Sequence, residues 1–404
     1  MKKIRNKRGL AAHLAVVMMV TAAATLMATA AGCGPRHLLT DADGPVRVCM
    51  VSDVAGIHDK SYNEQIYKAS EACSLEYDLP FTYKVSDKNN DVARIAAIDS
   101  AVAEGYNVLI CGGDSFAYPL SVVSKKYPDV KFVVLDMDAD TLLENTVGSD
   151  YLENPEAYDV NDYYNAENTY GMVYREEVAG YLAGFTAVQL GYRKLGFLGG
   201  VSIPAVNRYG YGFVRGVGDA ALMLGVLNEI QMKYAYAGQF YGSPEITAAM
   251  DIWYGNGTEV VFACGGSIYP SVAEAARKVH GKVIGVDSDQ KADFDLYEEN
   301  MAITSALKNV RFSVKYAIET ILNGEWDEKC AGKFDKCGLL SADDPERNFV
   351  GIPLESTAWS DAYSVEDFRK LLTDIVNGTL TIPDSTDSFP AVLYEIEVRQ
   401  GSIM

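Results

Sequence analysis

Two stretches of the chain repeat one order of residues: Val108-Leu-Ile-Cys-Gly-Gly-Asp-Ser-Phe-Ala-Tyr-Pro119 and Val261-Phe-Ala-Cys-Gly-Gly-Ser-Ile-Tyr-Pro270. Each begins with an apolar run, passes through Cys-Gly-Gly and Tyr-Pro, and continues through a helix-like segment to a second apolar run that ends in aspartate. That aspartate, Asp136 or Asp287, follows the cysteine by 25 residues in the first stretch and by 23 in the second. The ordered repetition indicates two equivalent strand–loop–helix–strand units.

The rest of the chain alternates apolar runs with helix-like segments such as 90–104, 206–224 and 270–279. The apolar runs predict strands at 46–53, 81–86, 107–112, 131–136, 194–200, 231–237, 259–264 and 282–287. Alternating strands and helices are typical of doubly wound parallel sheets. Eight such units exceed one compact sheet, and 404 residues suffice for two cores, so we expect an α/β protein with two lobes.

The expected organisation has several consecutive segments. They are a signal peptide (1–32), a lipidated cysteine with its tether (33–45), lobe 1 (46–190), lobe 2 (191–305) and a return segment whose helix and strands both lobes share (306–404). Lobe 1 contains an acidic, tyrosine-rich insertion at 137–170. We interpret this insertion as a solvated loop, with a flap near the ligand cleft as the alternative.

The N-terminus has the pattern of a secreted protein. A basic stretch at residues 2–8 precedes an apolar, alanine-rich run at 10–31, and small residues come directly before Cys33. This order is that of a signal peptide, and it resembles the lipobox of bacterial lipoproteins, although Ala30 stands where leucine is usual. The alternative is an uncleaved membrane anchor, since the run is long enough to span a bilayer. Both interpretations place the folded part outside the cytoplasmic membrane.

Composition excludes some classes of function. A formal net charge of −20 disfavours nucleic acid as a partner, because its phosphates would be repelled. Four cysteines in strand-like or helix-like runs are expected to be buried small hydrophobes: Cys49, Cys73, Cys111 and Cys264. Cys330 and Cys337 lie in a polar stretch, where a disulfide and free thiols are equally compatible with the sequence. No cysteine or histidine spacing indicates a metal site, and we expect no cofactor.

Polar residues at strand ends mark the candidate ligand site. Asp53, Asp136 and Asp287 each end a predicted strand, and ligands of open parallel sheets bind beyond the carboxyl ends of the strands. Aspartate also caps loops and helices there, which is the alternative for each one. Because two of the three occupy equivalent positions of the repeated unit, we favour a shared cleft between the lobes.

A helix is predicted to begin beside this cleft. Ser61 and Glu64 have the spacing of a capping box, which places Tyr62 and Asn63 on its first turn. An aromatic ring and a side-chain amide there suit stacking and hydrogen bonding of a flat heterocycle. Packing of Tyr62 between helix and sheet is the alternative.

Six motifs in order make the chain resemble the basic membrane protein family of lipoproteins. They are Asp59-Lys-Ser-Tyr-Asn63, Tyr174-Arg-Glu-Glu-Val-Ala-Gly-Tyr-Leu-Ala-Gly184, Gly196-Phe-Leu-Gly-Gly200, Tyr236-Ala-Gly-Gln-Phe240, Ile284-Gly-Val-Asp-Ser-Asp-Gln290 and Thr304-Ser-Ala-Leu-Lys308. The resemblance covers about residues 46–325, with a weaker echo at 375–383. The family has the type I periplasmic-binding-protein fold and includes purine-nucleoside receptors of ABC transporters. The insertion at 137–170 is longer than this resemblance implies, and 330–350 has no match.

The resemblance implies a role for individual residues. A nucleobase would lie between two rings, Tyr62 and Phe240, although phenylalanine is more usual at the first position. The base edge would contact three residues: Asp53, Asn63 and Asp136. The ribose hydroxyls would contact Asp287, Lys308 and a backbone group at Gly265 or Gly266. A carboxylate can accept both hydrogens of a vicinal diol, and Lys308 beside Asp287 would keep that carboxylate ionised. An exposed helical charge is the alternative for Lys308.

The function implied is a monomeric, lipid-anchored substrate-binding protein that captures a nucleoside, with purines favoured, and delivers it to an ABC importer. A sensor or adhesin with the same fold, or a different ligand such as a sugar or signal molecule, remains an alternative. A nucleoside hydrolase is disfavoured. The histidines after Cys33 are His37, His58 and His280, and none has a nucleophile paired with it by spacing.

The N-terminal pattern makes a direct prediction. Wild-type protein should incorporate labelled fatty acid and fractionate with the membrane, whereas Cys33→Ser should lose the label because serine offers no thiol for the lipid. Metabolic labelling followed by fractionation measures both properties. Equal labelling of the variant would contradict the lipobox interpretation.

Overall fold

A computed structural model describes residues 44–54, 56–58 and 62–403. The expected signal peptide, Cys33 and Ser61 of the predicted capping box lie outside these residues. Within them, no helix combines the length and the apolar character needed to cross a bilayer.

The strands form two separate sheets. In chain order they are β1 (Val48–Ser52), β2 (Phe81–Val85), β3 (Val108–Gly112), β4 (Lys131–Leu135), β5 (Thr169–Tyr174), β6 (Lys194–Gly199), β7 (Gln231–Tyr236), β8 (Val260–Cys264), β9 (Lys282–Asp287), β10 (Ala302–Lys308), β11 (Lys333–Cys337), β12 (Val350–Gly351) and β13 (Glu395–Ser402). The first sheet has the order β2-β1-β3-β4-β5-β11, and all its pairs are parallel. The second has the order β13-β7-β6-β8-β9-β10-β12, with only β12 antiparallel to its neighbour.

Helices cover both faces of each sheet. They are α1 (Tyr62–Glu76), α2 (Asp91–Ala103), α3 (Ala117–Lys126), α4 (Ala139–Thr146), α5 (Ser149–Glu153), α6 (Glu176–Gln189), α7 (Pro204–Leu224), α8 (Pro244–Gly255), α9 (Tyr269–Arg277), α10 (Lys291–Asp295), α11 (Val310–Leu322), α12 (Trp326–Lys329) and α13 (Val365–Val376). Several begin at a polar side chain that accepts a hydrogen bond from the first turn, for example Asn90 before α2 and Ser243 before α8.

The same strand order recurs in both sheets. β1 to β5 correspond in position to β6 to β10, so the predicted repeated unit is β3-α3-β4 in lobe 1 and β8-α9-β9 in lobe 2. The prediction of two α/β lobes with doubly wound sheets is confirmed. In such sheets the order reverses between the first and third strands, and ligands bind beyond the strand ends there.

The chain passes between the lobes after β5, after β10 and after β11. The backbone amide of Arg175 donates to the carbonyl of Cys337 (2.9 Å), and that of Asn309 donates to the carbonyl of Phe349 (2.8 Å). Phe349 in turn donates to Gly338 (3.0 Å). The three crossing segments therefore lie side by side and form the hinge between the lobes.

The insertion at 137–170 differs from the solvated loop that we expected. It contains α4, α5 and short 3-10 turns, and α4 packs against α3 on the flank of lobe 1. Met137, Leu142 and Tyr164 are buried in the apolar cluster on that face of the sheet. The apolar side chains within this acidic segment explain why it folds onto the lobe.

The cysteines are all free thiols in the described part of the chain. Cys49, Cys73, Cys111 and Cys264 are buried, as the sequence predicts. Cys330 and Cys337 are also buried and unbridged. Cys337 is the last residue of β11, and Cys330 directly follows α12. Each packs into the core as a free thiol, so the structure contains no disulfide between them.

Glycines allow α6 and α7 to pack backbone against backbone. A Cβ added at Gly212 would lie 2.0 Å from the carbonyl oxygen of Glu177, and one at Gly180 would lie 2.0 Å from that of Tyr209. Helix α6 is buried along its whole length. This close approach brings the first turn of α6 beside the first turns of α7, next to the strand ends.

Gly212→Ala should therefore destabilise the protein. The added methyl group meets backbone, which cannot move aside as a side chain can, and overpacking of this kind costs about 1–3 kcal/mol or more of unfolding free energy. Urea unfolding measures the loss. Gly255→Ala is the matched control, because a Cβ there meets nothing within 4 Å, and it should leave stability unchanged or slightly raised. An unchanged unfolding midpoint for Gly212→Ala would contradict the backbone contact.

Candidate functional site

The carboxyl ends of the two sheets face each other. Lys308 is the last residue of β10 in lobe 2, and its Nζ lies 3.1 Å from Oδ1 and 2.9 Å from Oδ2 of Asp136, which directly follows β4 in lobe 1. One hydrogen-bonded ion pair thus joins the strand ends of opposite lobes. The cleft predicted from the strand-end aspartates lies at this junction.

Lys308 is enclosed by carboxylates and aromatic rings. Its Nζ is also 3.0 Å from Oε1 of Glu176, and it lies 5.3 Å and 5.0 Å from the ring centroids of Tyr62 and Tyr174. Only 5% of Lys308 is exposed. Burial by itself would lower the pKa of Lys308, but Asp136 and Glu176 outweigh it and raise the pKa above its ordinary value. The ammonium group is therefore held in its charged form.

The two repeat-equivalent aspartates share an unusual backbone. Asp136 has φ 57° and Asp287 has φ 63°, both in the left-handed region that few residues other than glycine adopt. Such conformations cluster at functional sites, where surrounding contacts hold them in place. Burial raises the pKa of both carboxyl groups, and Lys308 opposes the shift.

Asp287 is hydrogen-bonded by a tyrosine of its own lobe. Its Oδ1 accepts a hydrogen bond from the hydroxyl of Tyr209 (3.1 Å), while Lys308 makes its direct contacts with Asp136 and Glu176. Lys308 therefore makes no direct ion pair with Asp287 in the described part of the chain. Lys308 still acts on Asp287 through its electrostatic field, lowering the pKa that burial raises.

The remaining predicted residues of lobe 1 lie at the end of β1 and the start of α1. Asn63 donates from Nδ2 to Oδ1 of Asp53 (3.3 Å). The ring of Tyr62 lies over Gly112 at the end of β3, where an added Cβ would be 3.0 Å from Tyr62 Cε1. Burial raises the pKa of Tyr62, and the neighbouring carboxylate of Asp136 raises it further. These residues occupy the point where the strand order of lobe 1 reverses.

Phe240, Gly265 and Gly266 occupy the corresponding point of lobe 2. The ring of Phe240 lies over Gly200, after β6, and 39% of the residue is exposed. Its carbonyl accepts from the amide of Ser267 (2.8 Å), which ties it to the loop after β8. A Cβ at Gly265 would lie 2.6 Å from Gly200 Cα, so only glycine allows this approach, and Gly266 has φ 54°. Tyr62 and Phe240 therefore lie on opposite lobes.

The strand-end analysis missed two charged residues. Glu176, at the start of α6, and Arg208, near the start of α7, form an ion pair in which Nε lies 2.6 Å from Oε2. The sequence did contain a signal for Glu176, because two consecutive glutamates begin an otherwise apolar segment. A carboxylate buried in such a segment needs a cationic partner. That partner, Arg208, lies 32 residues further along the chain, and no sequence motif identifies it.

Other parts of the described chain contain less that bears on a ligand. No group of three or more metal-ligating side chains occurs among those residues. A cavity of about 300 Å³ lies between α7 and residues 381–393, away from the strand ends, and none of the predicted site residues lines it. The strand-end cleft therefore remains the candidate site.

Solved structures share this architecture at low sequence identity. An ABC transporter solute-binding protein from Conexibacter woesei superposes with a TM-score of 0.62 and 18% identity, covering 84% of this chain and 99% of its own. One from Aeropyrum pernix gives 0.60 and 19%, covering 85% and 95%. These likenesses identify the type I periplasmic-binding-protein fold.

Sequence relatives cover nearly the whole chain. The ABC transporter nucleoside-binding protein BmpA of Lactococcus lactis is 25% identical, over 91% of this chain and 98% of its own length. An uncharacterized lipoprotein of Pyrococcus horikoshii is 21% identical, over 97% and 99%. The model of a family described as ABC transporter substrate-binding protein, PnrA-like, matches residues 46–384. The chain belongs to this family of basic membrane protein-type, PnrA-like substrate-binding proteins of ABC transporters.

Proposed function

We propose that the protein is a lipid-anchored, extracytoplasmic receptor that captures a nucleoside, with purines favoured, and delivers it to the permease of an ABC importer. The observation that carries the proposal is the ion pair between Asp136 of lobe 1 and Lys308 of lobe 2, at the strand ends where Asp287 also lies. A ligand placed there has hydrogen-bond acceptors at both of its ends. The Lactococcus relative, named as nucleoside-binding, supports the same ligand class.

Aromatic rings on the two lobes suit the base. Tyr62 and Phe240 each cover a glycine at the point where the strand order reverses, so each presents a ring to the cleft from its own lobe. A purine between them would stack on both faces, and stacking tolerates any base because every base has a π-face. Asp53, Asn63 and Asp136 then supply acceptors and an amide for the base edge.

The ribose is assigned to lobe 2. Among the described residues Asp287 accepts one side-chain hydrogen bond, from the Tyr209 hydroxyl to Oδ1, which leaves lone pairs for a vicinal diol. Gly265 and Gly266 follow β8, the strand next to β9, and their backbone is assigned to the same hydroxyls. Lys308 donates hydrogen bonds to both oxygens of Asp136 and forms an ion pair with Oε1 of Glu176, so a ribose hydroxyl would bond Lys308 by exchange with one of these contacts.

The membrane anchor follows from the N-terminal pattern and the relatives. Cys33 is the proposed lipidation site, and the Pyrococcus relative carries the name lipoprotein. Residues 33–45 would connect the lipid to lobe 1. The protein acts by binding and release, as a monomer, without a cofactor.

Alanine at either ring should weaken binding. We expect Tyr62→Ala and Phe240→Ala each to lose about 1–3 kcal/mol of binding free energy for guanosine or inosine, the usual worth of one base–aromatic stack. Isothermal titration calorimetry measures the loss. Tyr241→Ala is the control, because this neighbouring ring is 64% exposed and has no assigned role. Wild-type affinity in both ring variants would contradict the sandwich.

A ligand panel tests the division between base and ribose. Ribonucleosides should bind more tightly than 2′-deoxynucleosides, because a buried carboxylate without its hydroxyl partner costs about 1–3 kcal/mol. Free guanine and free ribose should bind weakly, since each engages one lobe only. The panel comprises adenosine, guanosine, inosine, uridine, deoxyguanosine, guanine and ribose, measured by calorimetry. If ribose bound tightly and no nucleoside bound, the proposed nucleoside ligand would be wrong, although the family assignment would stand.

A further inference from the structure

We propose that Glu176 is a positioning residue of this site, one that touches no ligand but fixes the lysine that spans the lobes. The inference rests on the proposed function, since the site it serves is the nucleoside site. It concerns how Lys308 keeps its direction and its charge when the lobes are apart.

Both oxygens of Glu176 are engaged by cations. Oε2 lies 2.6 Å from Nε of Arg208, and Oε1 lies 3.0 Å from Nζ of Lys308. Glu176 is fully buried, so its charge is balanced by these two side chains and not by water. One carboxylate therefore sets the position of two cations at the end of the second sheet.

All three of these residues lie on elements that pack together in lobe 2. Helix α6 packs against α7 and β10, which carry Arg208 and Lys308. The other carboxylate in contact with Lys308, Asp136, belongs to lobe 1. Opening of the cleft would separate Lys308 from Asp136 but leave it beside Glu176. Glu176 thus keeps the flexible lysine side chain paired and directed at the cleft, ready for Asp136 or a ligand hydroxyl.

The adjacent Glu177 provides a matched comparison. It is equally buried and also pairs with an arginine, since Oε1 lies 2.7 Å from Nε of Arg175. Arg175 donates from Nη2 to the carbonyl of Ile382 (3.0 Å), which belongs to the C-terminal segment and not to the cleft. The side chains of successive helix residues point about 100° apart, which explains why the two glutamates contact different parts of the protein.

The experiment compares Glu176→Gln with Glu177→Gln. Each keeps the shape of the side chain and removes its charge, so each should lower the urea midpoint. Binding of guanosine and inosine should weaken at least tenfold in Glu176→Gln and stay within threefold of wild type in Glu177→Gln. In the Glu176→Gln background, Lys308→Met should weaken binding much less than it does in wild type, because the lysine is no longer held in place.

Several outcomes would overturn the assignment. One is a nucleoside affinity within threefold of wild type in Glu176→Gln. Another is an equal loss of affinity in both glutamate variants. A third is an effect of Lys308→Met on binding that is as large in the Glu176→Gln background as in wild type. If Glu176→Gln does not fold, Arg208→Gln removes the clamp on the other oxygen and is judged by the same criteria.

A different failure would concern the proposed function alone. If wild-type protein binds no nucleoside, the urea midpoints of the four proteins in the Glu176 and Lys308 cycle still test the pairing. Additive midpoint changes overturn it, and non-additive changes support it.

Discussion

The ion pair between Lys308 and Asp136 is the contact on which the geometry of the cleft depends. It joins the end of β10 in one lobe to the end of β4 in the other, and the side chains of Lys308 and Asp136 are 5% and 21% exposed. A buried ion pair gains little net stability over apolar packing, yet removal of one partner costs about 3–5 kcal/mol because the other charge stays buried and unpaired. The ion pair therefore contributes more to specificity than to stability, because it determines how the two lobes meet.

The repetition of one unit in both lobes explains why complementary groups meet. β4 and β9 end in aspartates with the same left-handed backbone, while the equivalent strands β5 and β10 end in Tyr174 and Lys308. The lysine of lobe 2 lies 5.0 Å from the ring centroid of the tyrosine of lobe 1. A cation over an aromatic face is attracted by the ring quadrupole, most strongly when water is excluded. Equivalent positions with different side chains thus become partners across the cleft.

Much of the fold was predictable because its strands are short, apolar and regularly spaced. β5 and β10 were missed as strands. β5 follows a polar, tyrosine-rich stretch, and β10 has the sequence Ala302-Ile-Thr-Ser-Ala-Leu-Lys308, in which small and polar residues mask the pattern of a buried strand. β11, β12 and β13 lie in the return segment, for which strands were expected without bounds, because they are short or lack apolar alternation.

The site was predictable where strand ends decide it and unpredictable where contacts between distant segments do. Asp53, Asp136 and Asp287 follow from the strands alone. The partner of Lys308 does not, because Asp136 lies 172 residues away and the contact exists only when two lobes meet. The sequence left open the alternative of an exposed helical charge at Lys308 for the same reason, since the position of Lys308 at a strand end and its burial both depend on the assembled sheet.

The existing contacts of Lys308 affect how a ligand drives closure of the two lobes. Lys308 donates hydrogen bonds to both oxygens of Asp136 and forms an ion pair with Glu176, so the lobes meet with the charge of the lysine paired. A ligand shifts the open–closed equilibrium only by its differential affinity for the two states. In the proposed site, that difference would come from contacts with both lobes at once, through Tyr62 and Asp136 on one side and Phe240 and Asp287 on the other. A molecule that reaches one lobe only binds the open and closed forms alike, and so does not favour closure.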